Sequence, residues 1–135
     1  MTIQLNHTIV HARDAKASAQ FLTEILGLRT TPVRFGPFWA VALENGVTLD
    51  FLQTDEHFII EHYAFLVSES EFDAIFDRIQ SRQLPYWADP MHARASEINH
   101  HDGGRGVYWN DPDGHYLEII TRPYGSGGTS ASSPE

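Results

Sequence analysis

The stretch GGRGVYWNDPDGHYLEI, residues 103–119, decides how this chain folds. It predicts two strands, Gly106–Asn110 and His115–Arg122, separated by the four residues from Asp111 to Gly114. The sequence Asp-Pro-Asp-Gly is typical of a type I turn, because proline suits the second position of that turn. The stretch therefore predicts a β-hairpin in the last third of the chain.

Upstream of the hairpin, alternating apolar residues predict strands, and apolar residues at helical spacing predict two helices. The first helix is expected to run from the N-cap Asp14 to Gly27, and the second to begin after Ser68 or Ser70. Residues 84–104 are less regular. The predicted strands are Ile3–His11, Thr30–Arg34, Phe38–Leu43, Val47–Gln53 and Glu61–Val67.

The order strand, helix, three strands occurs twice, which predicts two copies of a βαβββ unit. An offset of 55 residues places His7 on His62, and an offset of 68 residues places Asp50 on Glu118. Because side chains alternate across a strand, all four groups are predicted on the sheet face that lies away from the helices. Burying them in mostly apolar strands is costly unless they bind something.

These features resemble the vicinal oxygen chelate superfamily, which contains glyoxalases, extradiol dioxygenases, fosfomycin-modifying enzymes and bleomycin-binding proteins. The DPDGHYLEI segment, the first strand with His7 and the EHYAF segment with His62 carry the resemblance, which covers about residues 3–124. It implies an α+β fold of one glyoxalase-like domain, residues 1–124. Two βαβββ modules, about residues 3–54 and 60–122, would form a U-shaped mixed sheet around a metal cup, with the helices outside.

The cup of that family holds a divalent metal, so the resemblance implies His7, His62 and Glu118 as metal ligands. Two imidazoles and one carboxylate form a facial site with open positions, which suits Fe, Mn, Ni, Co or Zn. One such ion per site acts as a Lewis acid on a substrate that chelates through neighbouring oxygens. Asp50 matches the fourth ligand of glyoxalase-like members, but its shorter side chain also suits a catalytic base or an orienting residue.

Further candidates lie outside the ligand set. The polar loop from His100 to Arg105 is a candidate cover for the cup, in which His100 and His101 shuttle protons with Tyr108, and Arg105 binds substrate. Arg122 shares the parity of Glu118 and is expected to hold a substrate anion. The candidates for an aromatic pocket wall are Phe35, Phe38, Trp39, Trp87, Tyr108 and Trp109, with Trp39 as a substrate contact. The alternatives are a solvated loop for the stretch from His100 to Arg105, an ion pair for Arg122, and core or dimer packing for the aromatic residues.

Composition narrows the functions that these residues can serve. The 135 residues include 9 basic and 18 acidic side chains, giving a formal charge of −9, and no cysteine. The absence of a basic stripe argues against nucleic acid and anionic membranes as partners, and the absence of thiols excludes thiolate ligands. No apolar run approaches the ~20 residues of a membrane span, so we expect a cytoplasmic protein. Residues 125–135 are small and polar and predict a disordered tail.

Two classes of function remain open at this point. The first is a small metalloenzyme with dioxygenase, lyase or isomerase, or thiol-transferase chemistry on a small-molecule substrate. The alternative is a non-catalytic resistance protein that sequesters a cationic planar drug, as bleomycin-binding proteins do, since acidity and aromatic rings suit that ligand. A homodimer is expected in either case, because exposed sheet edges favour association, and the ligands of one cup can come from both chains.

Overall fold

The computed structural model describes residues 2–127 and contains two helices and eight strands in that range. Two compact units divide the chain, one up to Ile59 and one from Ile60 onward, and the division falls between the predicted modules. The first unit contains β1 (His7–Ala12), α1 (Ala15–Leu26), β2 (Val33–Phe35), β3 (Phe38–Ala42) and β4 (Thr48–Gln53). The second contains β5 (His62–Leu66), α2 (Glu69–Ser81), β6 (Tyr86–Trp87), a 3-10 turn (His101–Gly103), β7 (Gly106–Asn110) and β8 (Tyr116–Ile120).

In the first unit, one helix packs against one face of a four-stranded mixed sheet. The strand order is β1-β4-β3-β2, with β1 parallel to β4 and the other neighbours antiparallel. Asp14 caps α1 by accepting the Ala17 N–H at 3.1 Å, and Gly27 ends the helix at φ +70°. The buried residues of this unit include Val10, Ala12, Val41, Leu49 and Phe51 in the sheet and Ala15, Ala19, Leu22 and Ile25 in the helix.

The second unit repeats the arrangement, with the order β5-β8-β7-β6 and β5 parallel to β8. Ser68 caps α2 through a reciprocal pair of hydrogen bonds with Glu71. The Ser68 hydroxyl accepts the Glu71 N–H at 3.1 Å, and the Glu71 carboxylate accepts the Ser68 N–H at 2.8 Å. The core contains Phe72, Ile75 and Ile79 of the helix together with Val107, Trp109, Leu117 and Ile119 of the sheet.

The shared strand order confirms the predicted α+β fold of two βαβββ modules. β1 begins at His7 and β5 at His62, which reproduces the offset of 55 residues. β4 begins at Thr48 and β8 at Tyr116, which reproduces the offset of 68 residues. The spacing found in the sequence is therefore the spacing of equivalent strands.

Some element boundaries differ from the prediction. β1 begins at His7 rather than Ile3, because its pairing with β4 begins only at His7 and Ile3 is fully exposed. β2 begins at Val33 rather than at Thr30, because its pairing with β3 runs only from Val33 to Phe35. The stretch expected to be irregular contains β6, which is only two residues long and depends on pairing with β7.

The chain after β8 is described only in part. Of the predicted tail, residues 125–135, the structure describes residues 125–127, and the residues from 128 onward lie outside the described range. Its first residue, Gly125, donates its N–H to the Asp102 carboxylate at 2.9 Å. Within residues 2–127, no helix combines the length and the apolar character that a membrane crossing requires.

The loop after β6 folds around the carboxylate of Asp89, which is buried. Its oxygens accept the N–H groups of Ala93 at 3.0 Å and Arg94 at 2.8 Å, and its carbonyl accepts the His92 N–H. Burial acts to raise the pKa of Asp89, but hydrogen bonds from Ala93, Arg94 and Met91 outweigh it and hold the pKa below its ordinary value. The ionised carboxylate therefore organises a loop in which His92 adopts φ +60°.

We expect Ser68→Ala to lower the free energy of unfolding by about 1 kcal/mol, because the N-terminal N–H groups of α2 lose their side-chain acceptor. Denaturant unfolding followed by circular dichroism measures the change. Ser81→Ala, at the other end of α2, is the matched control and should change stability by less than about 0.5 kcal/mol. Equal losses from the two variants would contradict the capping role.

Asp89→Asn should lower the melting temperature at pH 7, because the neutral amide is a weaker acceptor for the loop N–H groups. Since the folded pKa is depressed, the stabilisation by Asp89 is present above the ordinary pKa of 3.8 and is lost as the pH falls through the folded pKa. The gap between variant and wild type should therefore close in strong acid. Thermal melts over a pH series test this, with the exposed Asp77→Asn as the control, and a pH-independent gap would refute it.

Candidate metal centre

Glu118 lies at the centre of the open face of the second sheet, which we define as the face opposite the buried core. In register, Glu118 of β8 is flanked by Ala64 of β5 and Tyr108 of β7. Its neighbours Leu117 and Ile119 point into the core and are buried. The alternation predicted from the sequence is therefore observed, and Glu118 points away from the helix.

His62 is the first partner of Glu118. The parallel pairing of β5 and β8 places both side chains on the open face, with His62 Nε2 3.0 Å from Glu118 Oε1. The Glu118 side chain is 1% exposed and the His62 side chain 44% exposed. A buried carboxylate and a solvent-accessible imidazole thus meet although they are 56 residues apart in the chain.

Two tyrosines complete the surroundings of Glu118. The Tyr124 hydroxyl donates to Glu118 Oε2, and the hydroxyls of Tyr108 and Tyr124 are 3.1 Å apart. Burial, followed by the hydrogen bond to Glu118, raises the pKa of Tyr124 above its ordinary range. Burial also raises the pKa of Tyr108, although its hydrogen bond with Tyr124 acts in the opposite direction. Both phenols therefore remain protonated donors at neutral pH.

The chemistry of the His62–Glu118 pair fits a divalent cation. In a metal site, two ligand atoms that each lie about 2.1 Å from the ion, with a ligand–metal–ligand angle of about 90°, are about 3.0 Å apart. The Nε2–Oε1 separation of 3.0 Å is that of a hydrogen bond in this structure, and it is also compatible with both atoms binding one ion. An imidazole nitrogen with a carboxylate oxygen suits Fe, Mn, Co, Ni or Zn. The structure thus brings together two of the three predicted ligands in a fitting arrangement.

The third predicted ligand, His7, lies in the first unit and is exposed at the start of β1. Its Nδ1 is 2.7 Å from Asn6 Oδ1. Because an amide oxygen only accepts, this contact has Nδ1 as the donor. Within residues 2–127, no group of three or more His, Asp or Glu side chains is close enough to hold an ion. The three-residue ligand set stays a prediction.

Asp50 occupies the equivalent of Glu118 in the first unit. It lies on β4 between Ile9 of β1 and Ala40 of β3 in register, and it is 8% exposed. Leu49 and Phe51 beside it point into the core. Asp50 is therefore a buried carboxylate on the open face of its own sheet, and its role as a base or ligand stays a prediction.

The loop that contains the two predicted proton shuttles is anchored rather than free. Asp102 is buried at φ +57° and accepts the Gly125 N–H. The ring of His101 contacts the ring of Tyr124 edge-on, with centroids 6.0 Å apart, whereas His100 is exposed. Only His101 is thus brought next to a residue that contacts Glu118.

Two of the three predicted substrate contacts are engaged in packing. Arg105 donates to Glu69 at 2.8 Å and pairs with Asp73 at 2.9 Å, which fixes its guanidinium at the start of α2. Trp39 points to the helix side of its sheet, where the Lys16 ammonium lies 5.2 Å from the ring centroid. These contacts hold Arg105 and Trp39 against helix residues, and the substrate contacts predicted for both stay predictions.

Arg122, the third predicted substrate contact, follows β8 and is exposed. Its guanidinium donates to the Ser126 carbonyl at 3.3 Å. Its side-chain stem lies against Gly104, where an added Cβ would come within 2.9 Å of Arg122 Cγ. A glycine is required at position 104 for this close approach, and the predicted anion-binding role of Arg122 stays a prediction.

The open face of the second sheet also carries a three-ring stack. His92 lies parallel to Trp87, with centroids 3.6 Å apart and an interplanar angle of 2°, and it stacks on Tyr116 at 4.8 Å. Trp87 was predicted as a pocket wall, whereas Trp109 from the same predicted set is fully buried in the core. His92 was missed, because its position depends on the loop around Asp89 rather than on any strand pattern.

Tyr124 was also missed by the sequence analysis. It lies beyond β8, where strand parity no longer applies, and next to residues expected to form a tail. One weak indication was available. Tyr124 has an even number like Glu118 and Arg122, so it would lie on their face if the strand continued.

His115 is a structural residue of the second unit. It is fully buried, and its Nδ1 accepts the Glu61 N–H at 2.9 Å. The Asp111 carboxylate accepts the N–H groups of Asp113 and His115, both at 2.9 Å, which closes the predicted turn. Burial raises the pKa of Asp111 even though His115 opposes the change.

Comparisons with known proteins agree with this architecture. A family model described as the Glyoxalase/Bleomycin resistance protein/Dioxygenase superfamily matches residues 4–119. Two solved structures, named Oxidase ChaP-H1 and Oxidase ChaP-H2, share 60% and 62% sequence identity with the chain, with TM-scores of 0.89 and 0.90. They cover 92% and 95% of this chain and 99% and 100% of their own.

Two enzymes named for thiol-transfer chemistry are more distant relatives. The glutathione transferase FosA of Serratia marcescens is 30% identical over 127 residues, which is 88% of this chain and 81% of FosA. The metallothiol transferase FosB of Shouchella clausii (strain KSM-K16) is 31% identical over 97 residues, which is 72% of this chain and 60% of FosB. The chain thus spans less than two thirds of that FosB.

The duplicated strand order, the paired His62 and Glu118 on one open face and the extent of the family match lead to one conclusion. This chain belongs to the glyoxalase/bleomycin resistance protein/dioxygenase superfamily, whose members include the vicinal oxygen chelate enzymes.

Proposed function

We propose that this protein is a metal-dependent oxidase of the vicinal oxygen chelate type, acting on a small molecule with two neighbouring oxygens. The observation that carries the proposal is the 3.0 Å approach of His62 Nε2 to Glu118 Oε1, with the carboxylate buried and the imidazole open to solvent. The names of the two proteins at 60–62% identity support oxidation as the reaction. The proposal takes dioxygen as the electron acceptor.

In this proposal His7, His62 and Glu118 hold one divalent ion per site. When bound, the ion supplies Lewis-acid polarisation to substrate oxygens that chelate it. The exposure of His62 leaves a path for substrate from solvent. The proposal also gives Tyr108 an acid role, in which its hydroxyl turns from the Tyr124 hydroxyl, to which it donates in this structure, to a substrate oxygen that becomes more negative during the reaction.

Other residues handle protons and charge in the proposed reaction. Asp50 is the proposed base, because it is the carboxylate on the open face of the first sheet, in the position equivalent to Glu118. His101, next to Tyr124, is the proposed exchange point for protons between the site and solvent. His100 is more exposed and serves as the outer member of that pair, and Arg122 is proposed to hold a substrate anion.

Thiol transfer is the second candidate, because FosA and FosB are 30–31% identical to the chain. The fosfomycin-modifying group resembled by this chain uses basic and potassium-binding residues in its final third, where this chain has arginines but no lysine. Adding glutathione to an anaerobic reaction separates the two candidates. Product formation without oxygen would favour thiol transfer, and oxygen uptake without thiol would favour the oxidase.

A homodimer is part of the proposal. The open face of the first sheet exposes the apolar side chains Ile9 (42%), Val33 (62%) and Phe35 (67%). Burying them in an interface with a second copy is favourable, because apolar surface is removed from water. Ligands for one ion are proposed to come from two copies of the chain, with His7 from one copy and His62 with Glu118 from the other.

Protein purified without added metal should contain about one divalent ion per chain, and His62→Ala or Glu118→Gln should reduce this at least tenfold, because each removes one of three ligands. Elemental analysis gives the metal content, and an oxygen electrode gives turnover. His57→Ala, which replaces an exposed histidine outside the site, is the matched control. Retention of metal by both ligand variants would rule out the proposed centre.

Mixing ligand variants tests where the third ligand comes from. In a dimer of one His7→Ala chain and one His62→Ala chain, sites shared between copies leave one intact site, so about one ion per two chains should bind. Sites built within one chain leave none intact. Co-expression with two different affinity tags and tandem purification yields the mixed dimer. A mixed dimer without metal would contradict the shared site while leaving His62 and Glu118 as ligands.

A further inference from the structure

We infer that Tyr124 is a positioning residue that fixes Glu118 for metal binding, so that the segment after the last strand is part of the metal centre. The inference rests on the proposed function, in which Glu118 is a ligand. It concerns residues 122–126, which we name the C-terminal strap, and the 3-10 turn His101–Gly103 against which the strap is held.

The two oxygens of Glu118 have different partners. Oε1 faces His62 Nε2 at 3.0 Å, and Oε2 accepts the Tyr124 hydroxyl. A carboxylate with one oxygen bound to a fixed donor cannot rotate freely about its last bond. The hydrogen bond therefore presents Oε1, rather than both oxygens, to an ion shared with His62.

A phenol suits this task because it donates without carrying a charge. As a neutral hydroxyl, Tyr124 donates to Glu118 Oε2, and the Tyr108 hydroxyl lies 3.1 Å away on its other side. A lysine or arginine in the same place would neutralise the carboxylate and compete with the cation for it. Tyr124 orients Glu118 and leaves its negative charge available.

The strap is held in place by contacts that do not involve Glu118. The Gly125 N–H donates to Asp102 Oδ2 at 2.9 Å, and the Ser126 N–H donates to the Pro123 carbonyl at 3.1 Å. Asp102 is 7% exposed and adopts φ +57°, so a strained and buried acid is used to bind this one backbone N–H.

Close packing fixes the other side of the strap. An added Cβ on Gly104 would lie 2.6 Å from Thr121 Oγ1, which means that only glycine allows the turn to approach the start of the strap this closely. The glycine-rich segment that opens the 103–119 stretch thus has a physical role, since it lets the turn hold the strap that carries Tyr124.

Groups that hydrogen-bond to metal ligands tune metal affinity by about 10–100-fold. A purely structural role for Tyr124, satisfying a buried carboxylate, would instead change stability and leave the intrinsic affinity for the metal unaltered. The two roles are therefore separable by measuring affinity and stability on the same variants.

The test titrates metal-free protein with Co²⁺ and follows its visible absorption, which reports both affinity and coordination. Tyr124→Phe removes only the hydroxyl, and Asp102→Ala releases the strap while leaving Tyr124 intact. Tyr86→Phe is the matched control, because it removes one phenolic oxygen on the helix side of the same sheet, where the ring packs on Phe76 at 5.0 Å. Thermal melts of the metal-free variants run in parallel.

We expect Tyr124→Phe to weaken Co²⁺ binding by about 10–100-fold and to alter the Co²⁺ spectrum, with Asp102→Ala showing a smaller loss and Tyr86→Phe none. Wild-type affinity and spectrum in Tyr124→Phe, with or without a lower melting temperature, would overturn the positioning role and leave the proposed metal centre standing. Failure of the wild type to bind Co²⁺ would overturn the proposed centre itself, and this inference with it.

Discussion

The burial of the Glu118 carboxylate is the constraint on which the second unit depends. An unpaired charge buried in an apolar sheet costs several kcal/mol, so such a group persists only with partners. Here Oε1 meets His62 on the neighbouring strand, and Oε2 accepts a hydrogen bond from Tyr124 beyond the last strand. Strand pairing, the C-terminal strap and the turn that holds the strap all serve to keep this carboxylate satisfied and oriented.

Parallel pairing of the first and last strands of a module is what brings the histidine and the carboxylate together. In each βαβββ unit the strand before the helix lies beside the final strand, although the two are far apart in sequence. This gives His62 and Glu118 one face in the second unit, and it places His7 and Asp50 on one face in the first. The duplicated topology thus places a histidine and a carboxylate on one face in each unit. In the second unit a tyrosine donates a hydrogen bond to the carboxylate.

Strand parity and the two sequence offsets were sufficient to predict much of this arrangement. They located both modules, the capped helices, the hairpin at Asp111–Gly114 and the face on which Glu118 lies. They failed at residues whose position depends on loops. Arg105 lies in such a loop, and its ion pairs with Glu69 and Asp73 were not foreseen, although its substrate contact stays a prediction. His92 and Tyr124 went unnoticed for the same reason.

The sequence by itself determined the fold and the pairing of histidine with carboxylate, because alternation along a strand and repetition along the chain are local regularities that can be read residue by residue. Only the tertiary structure decided how Glu118 is held, because its second partner reaches it from a segment without regular periodicity. That segment is placed by a buried aspartate, a glycine without a Cβ and a single backbone hydrogen bond. Such contacts are non-local and leave no periodic pattern in the sequence.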